Sequence, residues 1–114
     1  MARILIFEPQ GDIRALLEIV VNRLGHEPWV FDGHDDDVID PDAAVIDPDE
    51  GEGLSLARRL RARGVPVILT SIFPAGLQEL ELTPVVYLVK PFALYTLEKA
   101  LEDAVQPFRT SAAG

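Results

Sequence analysis

The sequence predicts a doubly wound α/β fold, in which helices cover both faces of a parallel sheet of five strands. Two observations support this prediction. Short apolar runs without alternation recur along the chain, which is typical of strands buried on both faces. Between these runs lie segments with helical apolar spacing, and strands that alternate with helices form parallel sheets through βαβ units.

The five strands are predicted from the apolar runs themselves. The clear runs cover residues 4–7, 43–46, 65–69 and 85–89, and a weaker run covers residues 29–31. Their length is that of ordinary strands in globular proteins. We therefore expect five short strands, of which the second has the weakest signal.

Three segments have the spacing of amphipathic helices. Residues 12–24 place apolar side chains three and four positions apart, and Gly25 offers a C-terminal stop. Residues 54–63 are followed by Gly64, and a stripe of apolar residues runs through residues 94–105. These segments are the predicted first, third and fifth helices.

The two remaining connections have weak helical signals. Residues 33–42 are mostly acidic, and residues 73–82 hold few apolar side chains after a proline. We expect shortened second and fourth helices there. The sequence shows no internal repeat, so we expect one domain over residues 1–107 and a mobile C-terminal tail over residues 108–114.

Composition excludes several classes of protein. The chain has 114 residues, no cysteine and a formal net charge of -9 at pH 7. The missing cysteines exclude disulfide scaffolds, thiolate nucleophiles and iron–sulfur clusters. The negative charge repels phosphate backbones and anionic lipid, so we expect no direct contact with nucleic acid or membranes. The first apolar run is too short for a signal peptide, and we expect a cytoplasmic protein.

Polar residues follow four of the predicted strands. Glu8 follows the first, Asp47 the third, Thr70 the fourth and Lys90 the fifth. In an open α/β sheet, the reactive crevice lies beyond the carboxyl ends of the strands. We therefore expect two acids, a hydroxyl and an amine to meet at one edge of the sheet.

The order of these residues resembles that of the receiver domains of response regulators. The matching segments are RILIFEPQGDIRALL, AAVID, VPVILTS and VVYLVKPFALYTLEKAL, and they cover nearly the whole chain. The resemblance implies a flavodoxin-like fold with a five-stranded parallel sheet. It also implies a place in a two-component or phosphorelay system of signal transduction.

The resemblance implies a role for each matching residue. Asp47 would accept a phosphoryl group, Lys90 would hold the phosphoryl charge, and Thr70 would hydrogen-bond it. Tyr87 would be the aromatic residue that turns inward as Thr70 moves. A carboxylate attacks a phosphoryl donor only when the developing charge is neutralised, and a divalent cation such as Mg²⁺ contributes to this.

The sequence departs from the family pattern at the metal ligands. The family places two adjacent acids after the first strand, whereas here Pro9 follows Glu8 and provides no side-chain ligand. Pro48 follows Asp47, and the loop after it is short. Asp49 stands two residues after Asp47, so Glu8, Asp47 and Asp49 remain as the candidate ligands of Mg²⁺.

These departures favour an atypical receiver domain that acts through partner binding, with Asp47 phosphorylated weakly or not at all. In that case a contact between Lys90 and Asp47 is structural, and the chain is not an enzyme. One alternative is a stand-alone receiver that accepts a phosphoryl group on Asp47 from a histidine kinase. A distant alternative is an aspartate-nucleophile phosphatase, in which Asp49 would act as acid and base.

The implied partners are proteins. We expect a histidine kinase or another signalling protein as the partner. A second copy of the chain is also expected as a partner, through the face formed by the fourth helix, the fifth strand and the fifth helix.

Overall fold

The computed structural model describes residues 2–31, 40–48, 52–71, 86–90 and 93–105 of the chain. Within these ranges strands alternate with helices, and the strands lie in one parallel sheet. The predicted α/β class and its parallel sheet are therefore confirmed.

The described elements follow the predicted order. The strands are β1 (Arg3–Phe7), β2 (Glu27–Val30), β3 (Ala43–Ile46), β4 (Val67–Ser71) and β5 (Val86–Val89). The helices are α1 (Gly11–Arg23), α2 (Glu52–Ala62) and α3 (Leu94–Val105), which correspond to the predicted first, third and fifth helices. No helix in these ranges is long and apolar enough to cross a membrane.

Some predictions fall outside the described residues. Of residues 33–42, where we expected a shortened second helix, the structure describes only residues 40–42. Residues 72–85, which include the expected fourth helix, lie outside, and so does the expected tail at 108–114.

The predicted start of β4 was two residues too early. Gly64 has a φ of +84°, a left-handed conformation that suits glycine at the end of a helix. The N–H of Val65 then donates to the carbonyl of Leu60 at 3.0 Å. Val65 therefore belongs to the turn that ends α2, and β4 begins at Val67.

The predicted bounds of β2 were also wrong. The strand begins at Glu27, and its residues are exposed or half-buried. An edge strand with one partner contains too few buried residues to form a continuous apolar run. Its position is instead fixed by pairing, since Arg3 stands opposite Glu27 and Ile6 opposite Val30.

The order of the strands creates a switch point between β1 and β3. The sheet runs β2-β1-β3-β4-β5. The chain therefore passes from β1 to β2 on one side of β1, and then crosses to β3 on the opposite side of β1. Phe7 stands opposite Ile46, and the N–H of Asp47 donates to the Phe7 carbonyl at 2.9 Å. The residues that follow β1 and β3 therefore lie side by side, where ligands bind in folds of this type.

The hydrophobic core lies on both faces of the sheet. Alternate residues of each inner strand point to opposite faces, as the pleat requires. On one face Leu5 packs in the same cluster as Leu56 and Leu60 of α2. On the other face Ile4 packs in the same cluster as residues of α1 and α3, namely Leu17, Val20, Val21, Leu97, Ala100 and Leu101. This two-sided burial explains why β1 and β3 appear in the sequence as unbroken apolar runs.

Three aromatic rings pack together near the β2 edge. The ring centroids of Trp29 and Phe31 are 5.7 Å apart in an edge-to-face arrangement, and those of Phe7 and Phe31 are 6.3 Å apart. Such geometry is favourable for aromatic pairs. The cluster links β2 to the end of β1, immediately before Glu8.

Candidate functional site

Residues from three strand ends meet at the switch point. The Nζ atom of Lys90 donates to Glu8 Oε1 and to Asp47 Oδ2, each at 2.7 Å. The three side chains are 9%, 1% and 6% exposed, respectively. The predicted contact between Lys90 and Asp47 is therefore present, and Glu8 shares the same ammonium. We call these three residues the ion bridge.

The sheet explains why Lys90 can reach both carboxylates. Lys90 follows β5, and β4 lies between β5 and β3 in the sheet. A lysine carries its charge on a flexible stem of four carbons, which is long enough to extend across a neighbouring strand. The ion bridge therefore joins the ends of β1, β3 and β5.

Glu8 is also held by its own loop. Its second carboxylate oxygen, Oε2, accepts a hydrogen bond from the N–H of Gln10 at 3.2 Å. Its backbone carbonyl accepts a hydrogen bond from Nη1 of Arg14, in the first turns of α1, at 3.1 Å. Both carboxylate oxygens of Glu8 and its carbonyl oxygen thus have donors within the chain.

The backbone at Asp47 lies against the first turn of α2. A Cβ atom on Gly53 would overlap the carbonyl oxygen of Asp47 and lie 2.9 Å from the Cα of Pro48. Gly53 itself is buried. Only a residue without a side chain allows this close approach. Gly53 is therefore a positioning residue for the Asp47 backbone.

Thr70 lies at the same edge of the sheet but within β4 rather than after it. It is 1% exposed, and its hydroxyl has no hydrogen-bond partner among the residues that the structure describes. A buried hydroxyl without a partner is unusual, since burial removes the hydrogen bonds it would make with water.

The charge of Lys90 is stabilised by its two partners. Burial by itself lowers the pKa of the Lys90 ammonium, but the hydrogen bonds and charges of Asp47 and Glu8 outweigh it, and the pKa is raised above 10.5. Because this pKa is raised in the folded protein, the protonated form of Lys90 stabilises the folded state. This contribution is complete below pH 10.5 and is lost as the pH rises through the raised pKa.

Two predicted site residues are not described at the level of their side chains. Asp49 lies outside the described residues. Only the backbone of Tyr87 is described; it lies in β5 and pairs with Leu69 of β4. Of the predicted set, the ion bridge brings together Glu8, Asp47 and Lys90.

The two candidate magnesium ligands within the described ranges, Glu8 and Asp47, both contact the ammonium of Lys90. Mg²⁺ requires oxygen ligands in near-octahedral geometry. Here the ammonium of Lys90 contacts both carboxylates, and the remaining oxygens of Glu8 accept hydrogen bonds from Gln10 and Arg14. Within the described ranges, no three acidic, histidine or cysteine side chains come close enough to hold a metal.

Sequence reasoning missed the contributions of Arg14 and Gly53. Arg14 was part of an amphipathic helix pattern, and its bond to the Glu8 carbonyl joins two residues six positions apart across a turn. Gly53 stands in the first turn of a helix, where glycine is unfavourable unless another group approaches closely. A glycine in the first turn of a predicted helix was the sequence feature that could have indicated the close contact at Gly53.

We expect Thr70→Val to raise the free energy of unfolding by about 1 kcal/mol, because valine fills the same space without burying a hydroxyl. Urea unfolding of the two proteins measures the difference. As a control, Thr70→Ser keeps the hydroxyl and removes a buried methyl group, so its stability should fall by about 1 kcal/mol. A loss of stability in the valine variant would mean that the hydroxyl has a partner.

Comparison with solved structures identifies the fold. The signal receiver domain of a modulated diguanylate cyclase from Desulfovibrio desulfuricans has a TM-score of 0.79 and 27% identity, covering 97% of this chain and 98% of that one. The chemotaxis protein CheY4 from Vibrio cholerae gives 0.76 and 22%, with 91% and 98% covered. A response regulator receiver protein from Pseudoalteromonas atlantica gives 0.74 and 19%, with 91% and 97% covered.

Sequence comparisons add no closer relation, since no protein-family model and no curated protein sequence matches this chain. The structural neighbours extend over almost the whole chain and over almost the whole of each receiver domain. The chain therefore has the fold of the receiver domains of response regulators.

Proposed function

We propose that this chain is an atypical receiver domain of a two-component or phosphorelay signalling system. It acts through partner binding, and Asp47 is phosphorylated weakly or not at all. The observation that carries this proposal is the ion bridge, in which one buried ammonium contacts both Glu8 and Asp47 at 2.7 Å. The partner is a histidine kinase or another signalling protein.

The chemistry of phosphoryl transfer supports the proposal. A carboxylate that takes up a phosphoryl group gains negative charge, and positive groups must stabilise that charge. Here the ammonium of Lys90 donates to two carboxylates at once. Pro9 contributes no side-chain ligand for a metal that could stabilise the charge of the phosphoryl group. The ion bridge then serves to hold the ends of β1, β3 and β5 together.

Partner binding requires an accessible surface next to this site. Leu94 and Tyr95, at the start of α3, are 37% and 74% exposed, which is high for large apolar side chains. They belong to α3, one of the three elements of the face that the sequence predicts for a homodimer, which also includes the fourth helix and β5. We propose that a partner protein binds at this face.

The alternative is a receiver in which Asp47 accepts a phosphoryl group. One observation favours it, namely the buried Thr70 hydroxyl with no partner among the described residues, which has a donor available for a ligand. In this alternative, Glu8, Asp47 and Asp49 would hold Mg²⁺, which would neutralise the charge of the incoming group. The phosphatase alternative has no such observation in its favour, and we propose no catalytic turnover.

Phosphoryl donors test the proposal directly. We expect acetyl phosphate to leave the intact mass of the protein unchanged, with or without Mg²⁺. We also expect beryllofluoride, which mimics a phosphoryl group on a carboxylate, to leave the amide NMR signals of Thr70 and Lys90 in place. Both results are expected because Lys90 already neutralises the Asp47 carboxylate.

Two variants make the result specific to Asp47. Asp47→Asn removes the candidate acceptor, and Asp103→Asn removes an exposed carboxylate of α3 as a matched control. An added phosphoryl group in the unaltered protein and in Asp103→Asn, but not in Asp47→Asn, would contradict the proposal and establish the alternative.

A further inference from the structure

One side of α1 carries apolar side chains that the core does not bury. Leu16 is 40% exposed and Ile19 is 55% exposed, whereas Leu17, Val20 and Val21 of the same helix are buried. The two exposed residues are three positions apart, so they are neighbours on the helix surface. Scattered single apolar residues are normal on a protein surface, whereas adjacent ones form a patch of the kind found at protein–protein contacts.

Charged residues of opposite sign flank this apolar pair. Asp12 stands four positions before Leu16, and Arg23 stands four positions after Ile19. Both charged residues are exposed, and the ion pairs found among the described residues involve neither of them. Steps of four, three and four positions place the four residues in one line along the helix. We call this line, formed by Asp12, Leu16, Ile19 and Arg23, the α1 stripe.

The α1 stripe is complementary to a second copy of itself. In a two-fold symmetric contact, when one residue meets a second residue of the other copy, the reverse contact also forms. If two copies of α1 pack antiparallel about an axis midway between Leu16 and Ile19, Leu16 of each copy meets Ile19 of the other. In the same arrangement, Asp12 of each copy meets Arg23 of the other. Apolar side chains then contact apolar side chains, and each acid contacts a base.

The charges of the α1 stripe favour the antiparallel arrangement over the parallel one. Alternating steps of four and three residues are those of a coiled-coil seam, along which two helices pack side by side. A parallel pair would place Asp12 against Asp12 and Arg23 against Arg23, and like charges in contact are unfavourable. The net charge of -9 also repels a second copy at long range, so opposite charges at the contact itself are needed.

We infer that two copies of this chain associate through antiparallel packing of their α1 stripes. Each copy contributes one helix of 13 residues, so the interface is small and the dimer is weak, with a dissociation constant of about 0.1–1 mM. The dimer uses α1 rather than the α3 face that the sequence predicts for a homodimer. It is therefore independent of the binding of another protein at the α3 face, and either can be wrong without the other.

Sedimentation equilibrium at protein concentrations up to about 2 mM tests this inference. We expect a monomer–dimer equilibrium in the unaltered chain and an association at least about tenfold weaker in Ile19→Glu, which places an acid in the apolar pair. Tyr95→Glu makes the matched change at an exposed residue of α3 and should leave the association unchanged. If Tyr95→Glu weakens the dimer and Ile19→Glu does not, the inference is wrong. A chain that is monomeric at the highest concentration would also contradict it, and the α1 stripe would then be a surface for a different protein.

Charge-reversal variants test the pairing of Asp12 with Arg23 without altering the apolar pair. Asp12→Arg and Arg23→Asp each place like charges together in their own dimer, so at low salt each alone should associate at least about threefold more weakly than the unaltered chain. In a mixture of the two variants, one copy carries two bases and the other two acids at these positions. The mixed dimer should therefore form at least as tightly as the unaltered one. If the mixture associates no better than the separate variants, the antiparallel pairing is wrong.

Discussion

Replacing Lys90 with methionine is expected to lower the free energy of unfolding by about 3–5 kcal/mol in the absence of divalent cations. The ammonium lies at 2.7 Å from both Glu8 and Asp47, and all three side chains are at least nine-tenths buried. Methionine fills a similar volume but leaves two buried carboxylates without this counter-charge. Urea unfolding at neutral pH and low salt measures the loss.

The pH dependence and a combined variant separate charge from packing. Because the pKa of Lys90 is raised, its stabilising effect is complete below pH 10.5 and declines above it, so the difference between the two proteins should shrink at alkaline pH. Adding Glu8→Gln and Asp47→Asn to Lys90→Met removes every charge of the ion bridge and should recover most of the stability. If the loss of unfolding free energy stays the same at alkaline pH and in the combined variant, the loss results from altered packing and not from charge.

Replacing Gly53 with alanine is expected to lower the free energy of unfolding by about 3 kcal/mol. The added Cβ would overlap the Asp47 carbonyl oxygen and lie 2.9 Å from the Cα of Pro48. Both neighbours are backbone, so they cannot move aside as a side chain would. Relief requires a shift of α2 or of the Asp47 backbone, and amide NMR should show changes at Asp47 and Lys90 as well as the lost stability.

Gly11 provides a matched control for this substitution. It also stands at the start of a helix, but a Cβ there would meet only the Arg14 side chain, at 3.6 Å. Gly11→Ala should therefore raise stability by up to about 1 kcal/mol, because alanine has the higher helix propensity. If Gly53→Ala and Gly11→Ala have equal effects, the close contact between α2 and Asp47 is not a constraint.

The sequence predicted the elements whose burial produces a clear pattern. The spacing in α1 followed from one apolar face, and the runs in β1 and β3 followed from burial on both faces of the sheet. The edge strand β2 was placed two residues late, because its half-exposed residues give no such pattern. The start of β4 was misplaced because Val65 is buried in a turn rather than in a strand.

The contact between Lys90 and Asp47 was predictable because both follow parallel strands, whose ends meet at one edge. That Glu8 shares the same ammonium depends on which strands are neighbours and how far the lysine reaches. The contacts of Arg14 and Gly53 involve backbone atoms of residues brought together by a turn and by helix packing. The spacing of residue types along the sequence cannot predict contacts of this kind.

The aromatic cluster has a practical consequence for these measurements. Trp29 is the only tryptophan of the chain, and its ring packs edge-to-face on Phe31, which in turn contacts Phe7. Its fluorescence therefore arises from one place, the aromatic cluster beside β2. An emission spectrum recorded during unfolding would follow the exposure of this corner of the core, and no label or added probe would be needed.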